Sequence, residues 1–284
     1  MTAASLVSDP RAVLRAGPGA RLADIDPDAT PGFEGERDVA DDLLAAGAER
    51  LGGLQEQLFA RSRTTDDPRR VLIVLQGMDT SGKGGVIRHV VGAVDPQGVT
   101  LASFKKPTAE ELAHDFLWRI EQRVPQPGMI GVFDRSHYED VLIGRVRALA
   151  PPAEIKRRYD AINEFESRLV AGGTSIIKVM LHISAEEQKQ RLAERLERPD
   201  KYWKYNPGDL DERSKWADYQ QAYGAVFDRT STSDAPWFIV PANRKWYARL
   251  AVQQLLVDAL AGFNLDWPPA DFDVAAERAR LATL

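Results

Sequence analysis

Five short, almost wholly apolar runs recur along the chain: residues 71–76 (VLIVLQ), 99–104 (VTLASF), 129–133 (MIGVF), 176–182 (IIKVMLH) and 237–240 (WFIV). Short apolar runs rich in β-branched and aromatic residues, and bounded by turn residues, predict buried strands. Amphipathic stretches lie between and after them, near 83–93, 108–123, 136–148, 153–171, 184–198, 211–228 and 243–262. Ahead of the first strand, Val39, Leu43, Leu44, Leu51, Leu54, Leu58 and Phe59 recur at threes, fours and sevens, which predicts a helix over 36–61. Apolar strands that alternate with helices predict an α/β fold with a parallel sheet covered on both faces. No internal repeat and no low-complexity tract interrupts the pattern.

Residues 1–34 differ from the rest. They are rich in Pro, Gly, Asp and Ala and end in the loop-like DPDATPGFEG. Two readings stand: an extended arm lying on the main domain, or a loose tail. A single domain is expected over 35–284.

Parallel sheets of this kind bind ligands at the carboxyl ends of their strands. The first strand runs into QGMDTSGKGG, residues 76–85. This nearly matches the phosphate-binding loop G-x-x-x-x-G-K-[ST], with Gly77, Gly82 and Lys83 in place. Bare glycine amides form a cradle for phosphate oxygens, and Lys83 adds a positive charge. Ser81 and Gly84 complete the expected phosphate contacts. Gly84 stands where a hydroxyl normally holds Mg²⁺, and Asp79 is an unusual carboxylate inside the loop. One reading reconciles both: Asp79 supplies the metal-binding oxygen, assisted by Thr80 and Ser81. The other makes Asp79 a turn or cap residue.

Asp134 directly follows the third strand, the usual place for the second metal-side carboxylate of phosphate-loop enzymes. Arg135 is a candidate to reach the oxygens of the phosphate in transfer, or the partner in a simple ion pair. His137, Glu139 and Asp140 follow within SHYEDV and are candidate nucleotide contacts, with a structural role as the competing reading for His137.

After the fourth strand, Ser184 and Glu187 form a capping-box pattern. Arg191, Arg195 and Arg198 then share one helical face, and Lys201 and Lys204 continue the basic character. Such an array suits a long polyanion, although Glu187–Arg191 and Glu194–Arg198 also fit an ordinary solvated helix. With the phosphate loop present, a basic lid over about 184–215 is the preferred reading. Aromatic residues crowd beside it in YWKYNPGD and SKWADYQQAY, suited to packing or to stacking on a base. Asn243 and Arg244 after the last strand are candidate nucleotide or phosphate contacts, or helix caps, and Lys105 and Lys106 are candidate phosphate contacts after the second strand.

Composition narrows the field. The net charge of −5 argues against a general nucleic-acid binder, which is usually basic. No cysteine is present, which excludes disulfides, thiolate zinc sites and cysteine nucleophiles. No apolar run approaches the roughly 18 residues of a membrane span, and the first 30 residues lack the continuous apolar stretch of a signal peptide. A cytoplasmic protein without membrane or nucleic-acid partners is expected.

Six segments, GMDTSGKGG, FKKPTAEELAHDFLWRI, FDRSHYEDVLIGRV, RLAERLERPDKYWKY, WADYQQAYGAVFDRTST and PWFIVPANRKWYARLAV, follow in order the pattern of the polyphosphate kinase 2 family, which the chain resembles from about residue 20 onward. The resemblance implies a P-loop kinase-like three-layer sandwich, with a five-stranded parallel sheet and a mobile helical lid, similar to thymidylate kinases. It implies reversible phosphoryl transfer between inorganic polyphosphate and nucleotides, with Mg²⁺ or Mn²⁺ as cofactor. It makes Asp79, Lys83, Asp134 and Arg135 the catalytic set, with Asp79 and Asp134 as metal ligands. SHYEDV is similar to the subgroup that acts on both AMP and ADP. The partners implied are polyphosphate and AMP, ADP or ATP, with guanine nucleotides open, in a homo-dimer or homo-tetramer. Two rivals stand beside this reading: an ATP-dependent nucleotide kinase of thymidylate-kinase type, and a polyphosphate-binding protein without turnover.

Overall fold

The computed structural model describes residues 9–284. All five predicted strands form, within one or two residues of their expected ends: β1 Arg70–Gln76, β2 Val99–Ser103, β3 Ile130–Asp134, β4 Thr174–His182 and β5 Trp237–Pro241. They build one sheet in the order β2-β3-β1-β4-β5, and every pairing is parallel. The central strand β1 is buried from Val71 onward. The edge strand β2 is mostly accessible, because an edge needs only one covered side.

The longer helices are α1 Arg37–Thr64, α2 Lys83–His89, α3 Pro152–Ala171, α4 Ala185–Glu197, α5 Gly208–Arg213, α6 Trp216–Thr230, α7 Lys245–Ala261 and α8 Val274–Leu281. Successive strand residues point to opposite faces, and the two faces make two cores. Val71, Ile73, Leu75, Val179 and Val240 meet α1 and α7 on one side. Leu72, Val74, Phe133, Met180 and Ile239 meet α3 and α6 on the other. Burying each such side chain contributes about 1.5–3 kcal/mol. The result is the three-layer α/β sandwich.

Three expected helices come out shorter. The 108–123 stretch holds only the single turns Ala109–Leu112 and Trp118–Glu121, and 136–148 holds a 3-10 turn and Ile143–Val146. The 83–93 stretch is helical to His89, then continues as a 3-10 turn. Helix α8, beyond the last expected helix, has no buried residue.

Within residues 9–34, the stretch Leu14–Ala16 lies against β5. Ala16 N donates to Trp237 O at 2.8 Å, and Ile239 N donates to Leu14 O at 2.8 Å. Leu14, Ala16, Leu22 and Phe33 are buried. The segment thereby covers a sheet edge that would otherwise present unpaired backbone groups. The first eight residues of the expected arm lie outside the described residues. Among the described residues, no helix is long and apolar enough to cross a membrane.

A charged cluster sits inside the second core. Lys178 Nζ on β4 donates to Glu166 Oε2 at 2.6 Å, to Thr230 O at 2.7 Å and to the Tyr138 hydroxyl at 3.0 Å. Glu166 Oε1 accepts from that hydroxyl at 2.8 Å and lies 3.2 Å from His137 Nε2. Burial opposes both charges, yet the opposed lysine holds the Glu166 carboxyl below its ordinary value. The cluster pins the turn after β3 to β4 and α3.

Candidate active site at the carboxyl ends of the strands

The loop between β1 and α2 lies at the centre of the sheet, where β3 flanks β1 on one side and β4 on the other. Such a switch point opens a crevice beyond the strand ends. Gly77 has φ 149°, and a Cβ there would lie 2.6 Å from Ser81 Oγ and 2.7 Å from Leu181 O. Only glycine fits. Gly82 has φ 115°, and Thr80 is left-handed at φ 68° despite its side chain. Arg135, at φ 62°, is strained in the same way. Such strain persists only where surrounding contacts hold it.

Those contacts are specific. Arg135 Nη2 donates to Asp79 Oδ1 at 2.8 Å. Gln188 Nε2 donates to Asp79 O at 3.1 Å, and Arg191 Nη1 to Thr80 O at 2.9 Å. Lys83 folds back so that Nζ donates to Gly77 O at 2.7 Å. Desolvation pushes the Lys83 ammonium below its ordinary value, opposed by the Asp79 carboxylate. Gly84 is exposed, and nothing lies within 4 Å of a Cβ built there. Space therefore does not exclude a hydroxyl at this position.

Register brings Asp134 to the loop. Leu75 pairs with Asp134, and Arg135 N donates to Leu75 O at 3.1 Å. Asp79 and Asp134 both line one cleft of about 460 Å³. Nine lysines and arginines line it against three carboxylates, in a chain whose net charge is −5. Arg195 comes from α4, Lys201 and Lys204 from the 3-10 turn Pro199–Lys204, Arg198 from the junction between them, and Arg88 from α2. Lys245 and Arg249 come from α7. A wall this basic, beside two carboxylates, favours a polyanion that carries a cation.

A smaller pocket of about 60 Å³ opens on the other side of Asp79, lined by Arg135, Glu139, Glu212, Tyr219 and Tyr223. Burial raises the Glu139 carboxyl, opposed by Arg135 and Lys83. Burial would lower the Arg135 guanidinium, yet Glu139 and Asp79 hold it above its ordinary value. Tyr219 donates to Glu212 Oε2 at 2.5 Å, and Arg147 pairs with Glu212 at 2.7 Å.

Several expected site residues stand elsewhere or do something else. His137 is fully buried, 3.2 Å from Glu166, so its ring reaches no cleft. Packing decides this: the turn after β3 buries Ser136, His137 and Tyr138 in succession. Arg191 lines the basic cleft, but its guanidinium is taken up by Glu187, Thr80 O, Ala242 O and Asn243 O. It braces the loop. Glu187 accordingly binds Arg191 instead of closing the capping box, although Ser184 Oγ still accepts from Glu187 N. Asp140 pairs with Arg158 at 3.1 Å. Asn243 joins Ser184 N to Asp28 and so ties the N-terminal segment to α4. Arg244 is exposed outside the cleft lining, and Lys105 and Lys106 are exposed beyond the edge strand β2. Arg88 and Arg249, which the sequence reading does not name, belong to the basic wall, and Glu212 to the small pocket, where Tyr219 and Tyr223 of the aromatic stretch SKWADYQQAY also stand. The i, i+4 spacing of Lys245 and Arg249 was the readable signal.

The donors fit Mg²⁺. Among the described residues no group of three or more His, Cys, Asp or Glu side chains gathers as a metal cage. The Asp79 and Asp134 carboxylates share the cleft beside the loop, and the buried hydroxyls of Thr80 and Ser81 lack partners. Mg²⁺ is usually held this way, by one or two carboxylates with phosphate oxygens and water supplying the rest.

The family profile described as "Polyphosphate kinase 2 (PPK2)" matches residues 39–266. The chain belongs to the polyphosphate kinase 2 family. It is 48% identical over 247 residues to a Meiothermus ruber relative named AMP/ADP-polyphosphate phosphotransferase, covering 87% of this chain and 91% of the relative. It is 42% identical over 239 residues to an ADP-polyphosphate phosphotransferase of Rhodopseudomonas palustris, covering 80% and 81%. The crystal structure of polyphosphate kinase 2 from Arthrobacter aurescens TC1 superposes with a TM-score of 0.97 at 59% identity over the whole of both chains. The five-stranded parallel α/β sandwich is thus the architecture of a solved polyphosphate kinase 2.

One titration in this site is testable. Asp209 on α5 accepts from Arg195 at 3.2 Å, and burial, with Asp79 adding like charge, pushes its carboxyl up to about 6. Arg195, Arg135 and Lys83 act against that rise. A carboxyl raised on folding holds its proton more tightly in the native state. Its stabilising contribution is therefore greatest below the ordinary carboxylate range and is lost as pH rises through about 6. Asp209→Asn should flatten the fall in stability between pH 4 and 7, measured by chemical denaturation across that range. An unchanged slope would show that Asp209 titrates normally.

Proposed function

We propose that this chain transfers phosphoryl groups reversibly between inorganic polyphosphate and nucleoside mono- and diphosphates, converting AMP to ADP and ADP to ATP. The observation that carries the reading is the placement of Asp79 between a strongly basic cleft and a small Glu139–Tyr223 pocket. A long polyanion suits the basic cleft, and a nucleotide phosphate approaching from the Arg135 side meets it at the loop. The Meiothermus ruber and Rhodopseudomonas palustris relatives carry names in keeping with this chemistry.

Lys83 and the loop amides hold oxygens of the phosphoryl group in transfer. Arg135 neutralises the nucleotide's terminal phosphate, which would otherwise repel the polyphosphate end. The attacking phosphate oxygen is already ionised, so no strong general base is required. A new P–O bond forms to that oxygen, the P–O bond to the chain breaks, and the electron pair leaves on polyphosphate shortened by one unit. Positioning and charge do most of the catalysis. Asp79 and Asp134 would hold Mg²⁺ or Mn²⁺, which when bound neutralises phosphate charge. Lid residues over about 184–215 exclude water, and a homo-dimer or homo-tetramer in the cytoplasm completes the reading.

The test is to supply purified protein and Mg²⁺ with AMP or ADP, and with either polyphosphate or ATP as donor, and to separate products by ion-exchange chromatography. ADP and ATP should form with polyphosphate. Consumption of AMP as well as ADP identifies a dual acceptor range. Transfer from ATP alone would make the protein an ordinary nucleotide kinase, and binding without turnover would make it a polyphosphate-binding protein.

A further inference from the structure

We infer that Gln188, braced by Arg213, is a positioning residue for Asp79, and that through this pair the far end of the lid segment governs the phosphate loop. The inference rests on the phosphotransferase reading above. Gln188 lies in α4 and is almost completely buried. Its two ends are both engaged. Nε2 donates to Asp79 O at 3.1 Å, and Oε1 accepts from Arg213 Nη1 at 3.1 Å. The same Arg213 nitrogen donates to Ala185 O at 2.6 Å in the first turn of α4.

A primary amide has two donors and a carbonyl acceptor, and rotation can exchange them. A guanidinium only donates, so Arg213 can pair only with the oxygen end of the amide, which accepts from it. That choice aims the NH₂ end at the Asp79 carbonyl. The Asp79–Thr80 peptide plane sets the left-handed φ of Thr80, 68°. Fixing its oxygen therefore fixes the kink that carries the Asp79 carboxylate between the basic cleft and the small pocket. Arg191 takes the next carbonyl, Thr80 O, but its other contacts lie within α4 and after β5. Among the described residues, only Gln188 links the loop to α5 through hydrogen bonds.

The connection has a mechanical consequence. Arg213 ends α5, which follows the lid turn Pro199–Lys204 bearing Lys201 and Lys204 of the basic wall. Arg195 reaches the same region from α4, donating to Lys204 O at 2.9 Å and to Asp209 at 3.2 Å. The buried face of α4 thus spans from the loop carbonyls to the lid. A polyanion that draws the lid lysines into place also sets Arg213, and through Gln188 the orientation of Asp79.

Neither residue belongs to the small pocket or to the basic cleft lining. Removing either should leave substrate affinity intact and misplace Asp79. The test compares Gln188→Ala, Arg213→Ala and the double variant with the parent protein. Kinetics are read with polyphosphate and ADP, and hydrogen exchange at the loop amides is read in the free protein. Gln188→Ala should lower kcat about tenfold, the worth of one buried hydrogen bond, with KM for both substrates within about twofold. Gln188→Glu keeps the Arg213 contact but offers no donor to Asp79 O, so it should fail to rescue. The double variant should lose no more than Gln188→Ala alone, because the two act as one unit. Exchange at residues 79–82 should quicken in all of them.

A loss confined to KM, additive losses in the double variant, unaltered kcat, or full rescue by Gln188→Glu would each overturn the inference. If Gln188→Ala fails to fold, Arg213→Ala, at a partly accessible residue, carries the same prediction. A parent protein without polyphosphate-dependent transfer would overturn the proposed function instead. The exchange experiment needs no turnover and would still decide whether Gln188 holds the loop.

Discussion

Lys83→Ala is expected to reduce phosphoryl transfer at least about 10²–10³-fold while leaving the fold intact. The magnitude follows from deleting one preorganised positive donor at a site where charge develops. Lys83 is partly buried, and its one side-chain hydrogen bond is to Gly77 O within its own loop. Its removal leaves a single carbonyl without that partner, a loss of about 1 kcal/mol. Activity and stability should therefore separate widely. Steady-state rates with saturating polyphosphate and ADP, beside a thermal unfolding curve, check both halves. Asp79→Ala should be comparably damaging for a second reason. It removes the carboxylate and also frees Arg135, whose guanidinium rests on Asp79 Oδ1 at 2.8 Å and whose backbone is left-handed. A folded variant of either kind with near-parental turnover would sink the roles given to both residues.

The second large effect concerns the lid. The triple variant Arg198→Ala, Lys201→Ala, Lys204→Ala strips three of the nine cations from the basic cleft. Arg198 and Lys201 contact Asp200 on the surface, and such exposed pairs contribute little to folding. A charge-assisted hydrogen bond to phosphate is worth about 1.5 kcal/mol at the low end. Three partly screened contacts should raise KM for polyphosphate roughly 100-fold. KM for the nucleotide should hardly move. Moderate salt should weaken the parent protein's use of polyphosphate far more than the variant's. An equal rise in both KM values would place the nucleotide, and not the polyanion, against this wall.

The strands stand out in the sequence for a simple reason. β1, β3, β4 and β5 are buried on both faces, so their apolar character is continuous and stands out in a linear reading. The stretches 108–123 and 136–148 read as longer helices than they form because their apolar residues serve separate short turns against the second core. Periodicity does not distinguish one long helix from two turns joined by a bend.

The same division runs through the site. The glycines, Asp79 and Lys83 were legible because a strand, a glycine-rich turn and a helix follow one another locally, and Asp134 because it directly ends a strand. Family likeness then attached a chemistry to those positions. The sequence by itself determined the α/β class, the strand set, the loop and the order of acidic and basic groups along the chain, since each depends on neighbours within a few residues. Only the tertiary structure decided which of those groups meet. It turned His137 into the core against Glu166, spent Arg191 on backbone carbonyls, and brought Arg88 and Arg249 into one wall with the lid. It also placed Gln188 between Arg213 and Asp79, residues 134 positions apart in the chain. The physical reason is that hydrogen bonds and charge act over a few ångströms, and which groups come that close is set by how the helices pack on the sheet.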